Sequence, residues 1–304
     1  MNSNFNIVCI GGGNGTPRVL RALKSHNVHL TAVITMADSG GSAGFLRKHY
    51  GTLPTGDVRR ALVALATVES PLKDMMTYRF KGGPLDEQSA GSIFLTTLEN
   101  VTGSFEKAIA TASELLKIKG DVLPVTLDNV QLCAELEDGT IVRGETNIDI
   151  PKHDPNLKIK KVWLELYPPV QGRAEAKINP RVTDAIAKAD MIIIGPGDLY
   201  SSLIPNLLVA GVPEAIKKSN AKKVFIVNLK TKQGETQHFK AEDFVSEIKK
   251  YIPVDISVFN SNLRSPSFLH MPETGAHIVC ADVLDDTVDQ HDAGEKLANV
   301  LLTL

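Results

Sequence analysis

FNIVCIGGGNGT, residues 5–16, decides how this chain begins to fold. FNIVCI is an apolar run of strand length. GGGNGT turns the chain sharply, and residues 16–25 continue as a helix. The same grammar repeats at once: LTAVIT at 30–35 runs into the glycine- and serine-rich stretch TMADSGGSAG at 35–44, and a helix follows from Asp57. Strands that feed helices through short glycine turns indicate parallel pairing with right-handed crossovers, so the fold class is α/β.

Further along, VRRALVALATV, QSAGSIFLTTLEN and SFEKAIATASELLKIKG keep a helical period, which predicts a helical layer over about 57–119 with Ser104 as an N-cap. Between 122 and 166 the period becomes two, in VLPVTL, VQLCAEL, TIVRGE and IKKVWLEL. Asp138-Gly139 sits between alternating runs as a hairpin turn, so a small antiparallel insert is expected over about 122–166. The α/β rhythm returns after Asn179, with helix 180–188, strand MIIIG, strand KVFIVNL, helix 241–251, strands DISVF and AHIVCA, and a final helix from Asp292. Neither repeat nor low-complexity linker interrupts it, and residues 1–304 read as one domain.

Composition narrows the function classes. With 43% hydrophobic and 22% charged residues the chain is ordinary globular material, and its net charge of −2 offers no basic field for nucleic acid or an anionic membrane. The start MNSNFNIVCIG lacks the features of a signal peptide, and no apolar run reaches the ~20 residues of a membrane helix. Cys9, Cys133 and Cys280 each lie in apolar runs without CxxC spacing and read as reduced core thiols, which fits the cytoplasm.

Four loops that follow buried strands carry the chemistry, and a parallel sheet delivers all four to one edge. Gly12, Gly13, Asn14, Gly15 and Thr16 resemble a phosphate-binding turn before a helix N-terminus, although tight strand-to-helix packing would use the same glycines. The turn is not a P-loop, and as GxGxxG it keeps only Gly11 and Gly13. In the second loop, Asp38, Ser39, Gly40, Gly41 and Ser42 combine a carboxylate with hydroxyl and amide donors. Asp38 also lies about where a dinucleotide site keeps its ribose carboxylate, so a nicotinamide-dependent oxidoreductase stands as a third reading. Gly195, Pro196, Gly197, Asp198, Tyr200 and Ser201 form another loop, and Asn228 and Thr231 belong to NLKTKQGET. Asp57 opens a helix as an N-cap or a site acid, and Arg59 and Arg60 in that first turn oppose the helix dipole unless an anion offsets them. The histidines show no metal spacing, and no GxSxG supports a hydrolase triad.

GGGNGT, TMADSGGSAGFLRKHYGTLPTGDVRRALVALA, IIIGPGDLYSSLIPNLL and NLKTKQGET, in this order, closely resemble the YvcK or gluconeogenesis-factor family. That family is related to CofD, the 2-phospho-L-lactate transferase of deazaflavin coenzyme synthesis. The resemblance runs through the terminal HDAGEKLANVLL and implies a Rossmann-like fold whose sheet edge binds a nucleotide. For the YvcK branch it implies a UDP-N-acetylglucosamine-like ligand, a regulatory role in carbon metabolism, cell wall and cell shape, and protein partners or a homo-oligomer. For the transferase branch it implies an activated phospholactate donor, a deazaflavin acceptor and magnesium, with Asp38 and Asp57 as the acidic positions for catalysis or metal. Ser39 stands where the family usually has a second aspartate, Asn14 for a threonine, Thr55 for a proline, and Gln88 and Ser92 for a histidine and an asparagine. A thinned acidic centre favours binding over metal-assisted transfer, because hard cations need oxygen anions.

Overall fold

The computed structural model describes residues 5–67, 69–169, 171, 175–261, 278–285, 287–288 and 290–304. Strand β1 (Asn6–Gly11) leads through the glycine turn to α1 (Gly15–Leu23) and β2 (His29–Ile34). Helices α2 (Gly41–Tyr50), α3 (Gly56–Leu65), α4 (Pro71–Thr77), α5 (Ala90–Thr102) and α6 (Phe105–Leu116) follow before β3 (Asp121–Pro124). An excursion then carries β4 (Val130–Leu136), β5 (Ile141–Arg143), the short α7 (Glu145–Asp149) and β6 (Ile159–Leu166). The second half comprises α8 (Pro180–Lys188), β7 (Met191–Ile194), a π-helical turn at Leu199–Leu203 continued by α9 (Ile204–Leu207), α10 (Val212–Lys218) and β8 (Lys222–Ile226). It ends with α11 (Ala241–Lys249), β9 (Ile256–Asn260), β10 (Ile278–Ala281), the short pair β11 (Leu284–Asp285) and β12 (Gln290–His291), and α12 (Glu295–Thr303).

Seven strands form one sheet in the order β10-β9-β8-β7-β1-β2-β3, and every pairing in it is parallel. The chain therefore winds outward from β1 in both directions, the doubly wound, Rossmann-like pattern. Its topological switch point lies between β1 and β7, where open α/β sheets bind ligands. Ile7, Cys9 and Ile10 of β1 and Ile192, Ile193 and Ile194 of β7 are all buried, as strands covered by helices on both faces require.

Three sequence expectations need correction. Residues 41–50 are helical, because Ala43 and Leu46 find buried positions and Gly51 ends the helix in the left-handed region at φ 68°. The first strand of the expected insert is the edge of the main sheet instead: β3 pairs parallel with β2, Thr31 opposite Asp121. The antiparallel piece is β5-β4-β6, and its hairpin turns at Asp138-Gly139 as expected, with Gly139 at φ 87° and Asp138 accepting the Thr140 N–H at 2.9 Å. Cys9 and Cys133 are buried, whereas Cys280 lies exposed on the edge strand β10. Part of the expected strand AHIVCA, residues 276 and 277, lies outside the described residues. Ser104 caps α6 as expected, and among the described residues no helix is long and apolar enough to cross a membrane.

Candidate functional site

Two cavities open at the switch point, of about 460 Å³ and about 300 Å³. They share Asn14 and Gly15 from the loop after β1 and Gly197 and Asp198 from the loop after β7. The two loops touch through their backbones. A methyl group on Gly15 would run into the Pro196 carbonyl and reach within 3.0 Å of the Gly197 nitrogen, so only glycine lets them meet.

Asp57 and Arg60, one turn apart at the start of α3, hold Gly13 of the β1 loop through the peptide groups on both of its sides. Asp57 Oδ2 accepts the Gly13 N–H at 2.9 Å, Arg60 Nε donates to the Gly13 carbonyl at 3.1 Å, and the two side chains pair with each other. Asp57 is therefore not the helix cap; Thr55 holds that position, without a side-chain cap bond. The Gly13 N–H, expected to face an anion, is committed to Asp57, and it is Asn14 and Gly15 at the start of α1 that border both cavities. Gly12 is packed beneath Asp57, and Thr16 turns inward to bond the Gly12 carbonyl at 3.3 Å.

Arg59 also lines the larger cavity. Its Nη1 donates to the Met76 carbonyl at 2.8 Å, its Nε is buried without a partner, and burial, then Arg60 beside it, lowers its pKa to about 10. Arg79, which the sequence reading missed, adds a third guanidinium to the same wall, and Ser92 lines it as well.

Ser39 has a role that its sequence position does not reveal. Its Oγ accepts the Thr146 N–H at 3.0 Å while its own N–H donates to Glu145 Oε2 at 3.2 Å, a reciprocal pairing that pins α7 of the insert to the β2 loop. Gly40, Gly41 and Ser42 line the larger cavity while Ser39 stands behind them. Through this contact α7 brings Glu145 and Asp149 into the wall. The acidic centre is therefore not thinned: Asp38, Asp57, Glu145, Asp149 and Asp198 all line the cleft.

Crowding of carboxylates in a partly dry site favours their protonated forms. Burial first, and the Asp38 charge second, push Glu145 up to about 8. Burial and then Asp57 push Asp38 up to about 6, against the Gly40 N–H that Oδ1 accepts at 2.9 Å.

On the far wall Ser201 and Ser202 join Asp198. Tyr200 is buried behind them, its ring edge-on to Phe239 at 6.2 Å and its N–H donating to Glu235 Oε2 at 3.0 Å. Gly195 likewise lies outside both linings. Pro196, Asn228 and Thr231 border the smaller cavity, with Asn228 Nδ2 donating to the Gly197 carbonyl at 2.8 Å. Arg18, Lys232 and His291, unforeseen from sequence, line it as well; burial pushes His291 down to about 4, so the ring is neutral while its Nε2 lies 3.1 Å from the Val227 carbonyl.

The family described as 2-phospho-L-lactate transferase CofD matches residues 7–295. A gluconeogenesis factor of Halalkalibacterium halodurans is 43% identical over 252 residues, 83% of this chain and 75% of that protein. This chain belongs to the gluconeogenesis-factor family. Its fold is similar to the crystal structure of a UPF0052 family member from Bacillus halodurans, with TM-score 0.90 and 36% identity over 98% of this chain and 99% of that one. A Clostridium acetobutylicum relative, 41% identical over 85% of this chain, is longer, and the chain spans 56% of it. The family match runs from β1 to the first residue of α12, so both cavities of this gluconeogenesis-factor fold lie within it.

Proposed function

We propose that this chain is a cytoplasmic regulatory protein that binds a nucleotide sugar of the UDP-N-acetylglucosamine type and acts in carbon metabolism, cell-wall balance and cell shape. The observation that carries the reading is the pair of cavities joined over Gly15 and Gly197 at the switch point. A nucleotide sugar has two bulky ends and a diphosphate between them. Two chambers with a waist of backbone, beside the positive end of α1, suit that shape and charge. Arg59, Arg60 and Arg79 supply donors for the anionic middle or for sugar hydroxyls. Calorimetry with UDP-N-acetylglucosamine tests this: saturable heat supports it, and no heat at millimolar ligand defeats it.

The five carboxylates favour a second reading, a transferase of the CofD type acting on a deazaflavin. Their oxygen donors have the chemistry magnesium requires. Asp57 has both oxygens engaged, by Gly13 and Arg60, so Asp38 with Glu145 would hold the ion. Bound there it would neutralise phosphate charge, while Arg59 and Arg79 steady the same group. Mass gain by a deazaflavin incubated with activated phospholactate and magnesium would establish this activity, and an unchanged acceptor would dismiss it.

A further inference from the structure

Lys232, in the loop after β8, ends in a nest of acids. Its ammonium pairs with Asp149 of α7, with Asp198 of the β7 loop at 2.7 Å and with Glu235 at 3.3 Å. One oxygen from each of these carboxylates lies within 4.8 Å of the other two, a spacing suited to a single cation. The nest is built into the fold: the Glu235 side chain is fully buried, and it also accepts the Ser201 hydroxyl at 2.8 Å and the Tyr200 N–H at 3.0 Å. The Lys232 N–H is itself fixed to the Thr236 hydroxyl at 2.9 Å.

We propose that Lys232 is a positioning residue whose ammonium does the work of a resident cation, holding α7 and the loops after β7 and β8 in one arrangement around the cleft. Three carboxylates this close repel one another unless a positive charge stands among them. Asp149 lines the larger cavity, Lys232 the smaller and Asp198 both, so the ion pairs stand where the two chambers meet. Without the ammonium the acids separate, recruit protons or capture a divalent cation. A tethered charge, unlike a metal, cannot be lost to a chelator.

The consequence for ligand affinity rests on the nucleotide-sugar reading; the cation chemistry does not. In the full chain, Lys232→Met removes the charge and keeps most of the length. Manganese alone, titrated by electron paramagnetic resonance, should occupy one more site per chain in this variant than in the wild type. Adding Glu235→Gln should abolish the extra site. Affinity for UDP-N-acetylglucosamine should fall by about tenfold or more in Lys232→Met and recover when manganese is added, since small displacements of a site wall cost this much.

Equal manganese uptake by variant and wild type would overturn the proposal, as would a drop in affinity that manganese fails to restore. Absence of sugar-nucleotide binding in the wild type would defeat the functional reading alone, with the manganese count still judging Lys232. Competitive acylation of the native protein provides a check that no folding defect can obscure. Lys232 should react much more slowly than the exposed Lys48, and equal rates would also overturn the proposal.

Discussion

Replacing Asp57 by asparagine tests the clamp on the β1 loop with almost no change of shape. The carboxylate serves two donors at once, the Gly13 N–H at 2.9 Å and the Arg60 guanidinium, and its side chain is only 6% exposed. A carboxamide has one acceptor oxygen, so its NH₂ must face one of those donors. The better choice keeps the Gly13 bond and releases Arg60, which is 30% exposed and can turn to water. A buried donor left without a partner costs about 1–3 kcal/mol, and solvent access to Arg60 puts Asp57→Asn in the lower half of that range. In a chain of 304 residues the melting temperature should fall by about 1.5 °C per kcal/mol. Asp57→Ala, which loses both bonds, should fall further. In a double-mutant cycle with Arg60→Met the pair should be coupled, because each side chain holds the other against Gly13. An Asp57→Asn protein that melts with the wild type, or strictly additive single variants, would refute the clamp.

Other expectations follow from single contacts. Gly15→Ala places a carbon against the Pro196 carbonyl, so the two loops must part; ligand heat in calorimetry should vanish while circular dichroism stays native. Glu99 has a buried Oε2 without a partner, and burial raises its pKa from 4.5 to about 7. The folded protein therefore binds more protons than the unfolded chain between those values, and this residue's contribution to stability falls as pH rises from about 4.5 to 7. Glu99→Gln should flatten that dependence and melt higher than the wild type at pH 8; equal melting at pH 8 would contradict the assignment.

The parallel sheet was legible because β1, β2 and β7 announce themselves as apolar runs that end in glycine turns, and the loops that follow them do meet at one edge. What was hidden depends on pairing between distant segments. VLPVTL looks the same as an edge strand beside β2 or as the start of an antiparallel meander, since period two does not name the partner. GGSAGFLRKHY looked like loop because its glycines outweigh its short apolar stripe, yet Gly44 and Gly51 serve packing and helix termination. Glu145 and Asp149 sit in no glycine-rich loop. Their place in the cleft comes from Ser39, which in sequence reads as a hydroxyl donor to a ligand and as a missing aspartate, not as the anchor of a distant helix. Lys232 was equally silent, since one lysine among thirty-three basic residues shows nothing until its three acids are found around it.

The most direct test of the account is a crystal structure of the chain grown with saturating UDP-N-acetylglucosamine. The account predicts density through both cavities, with the diphosphate at the waist between Gly15 and Gly197. Density for the ligand elsewhere on the molecule, or none at saturation, would contradict it.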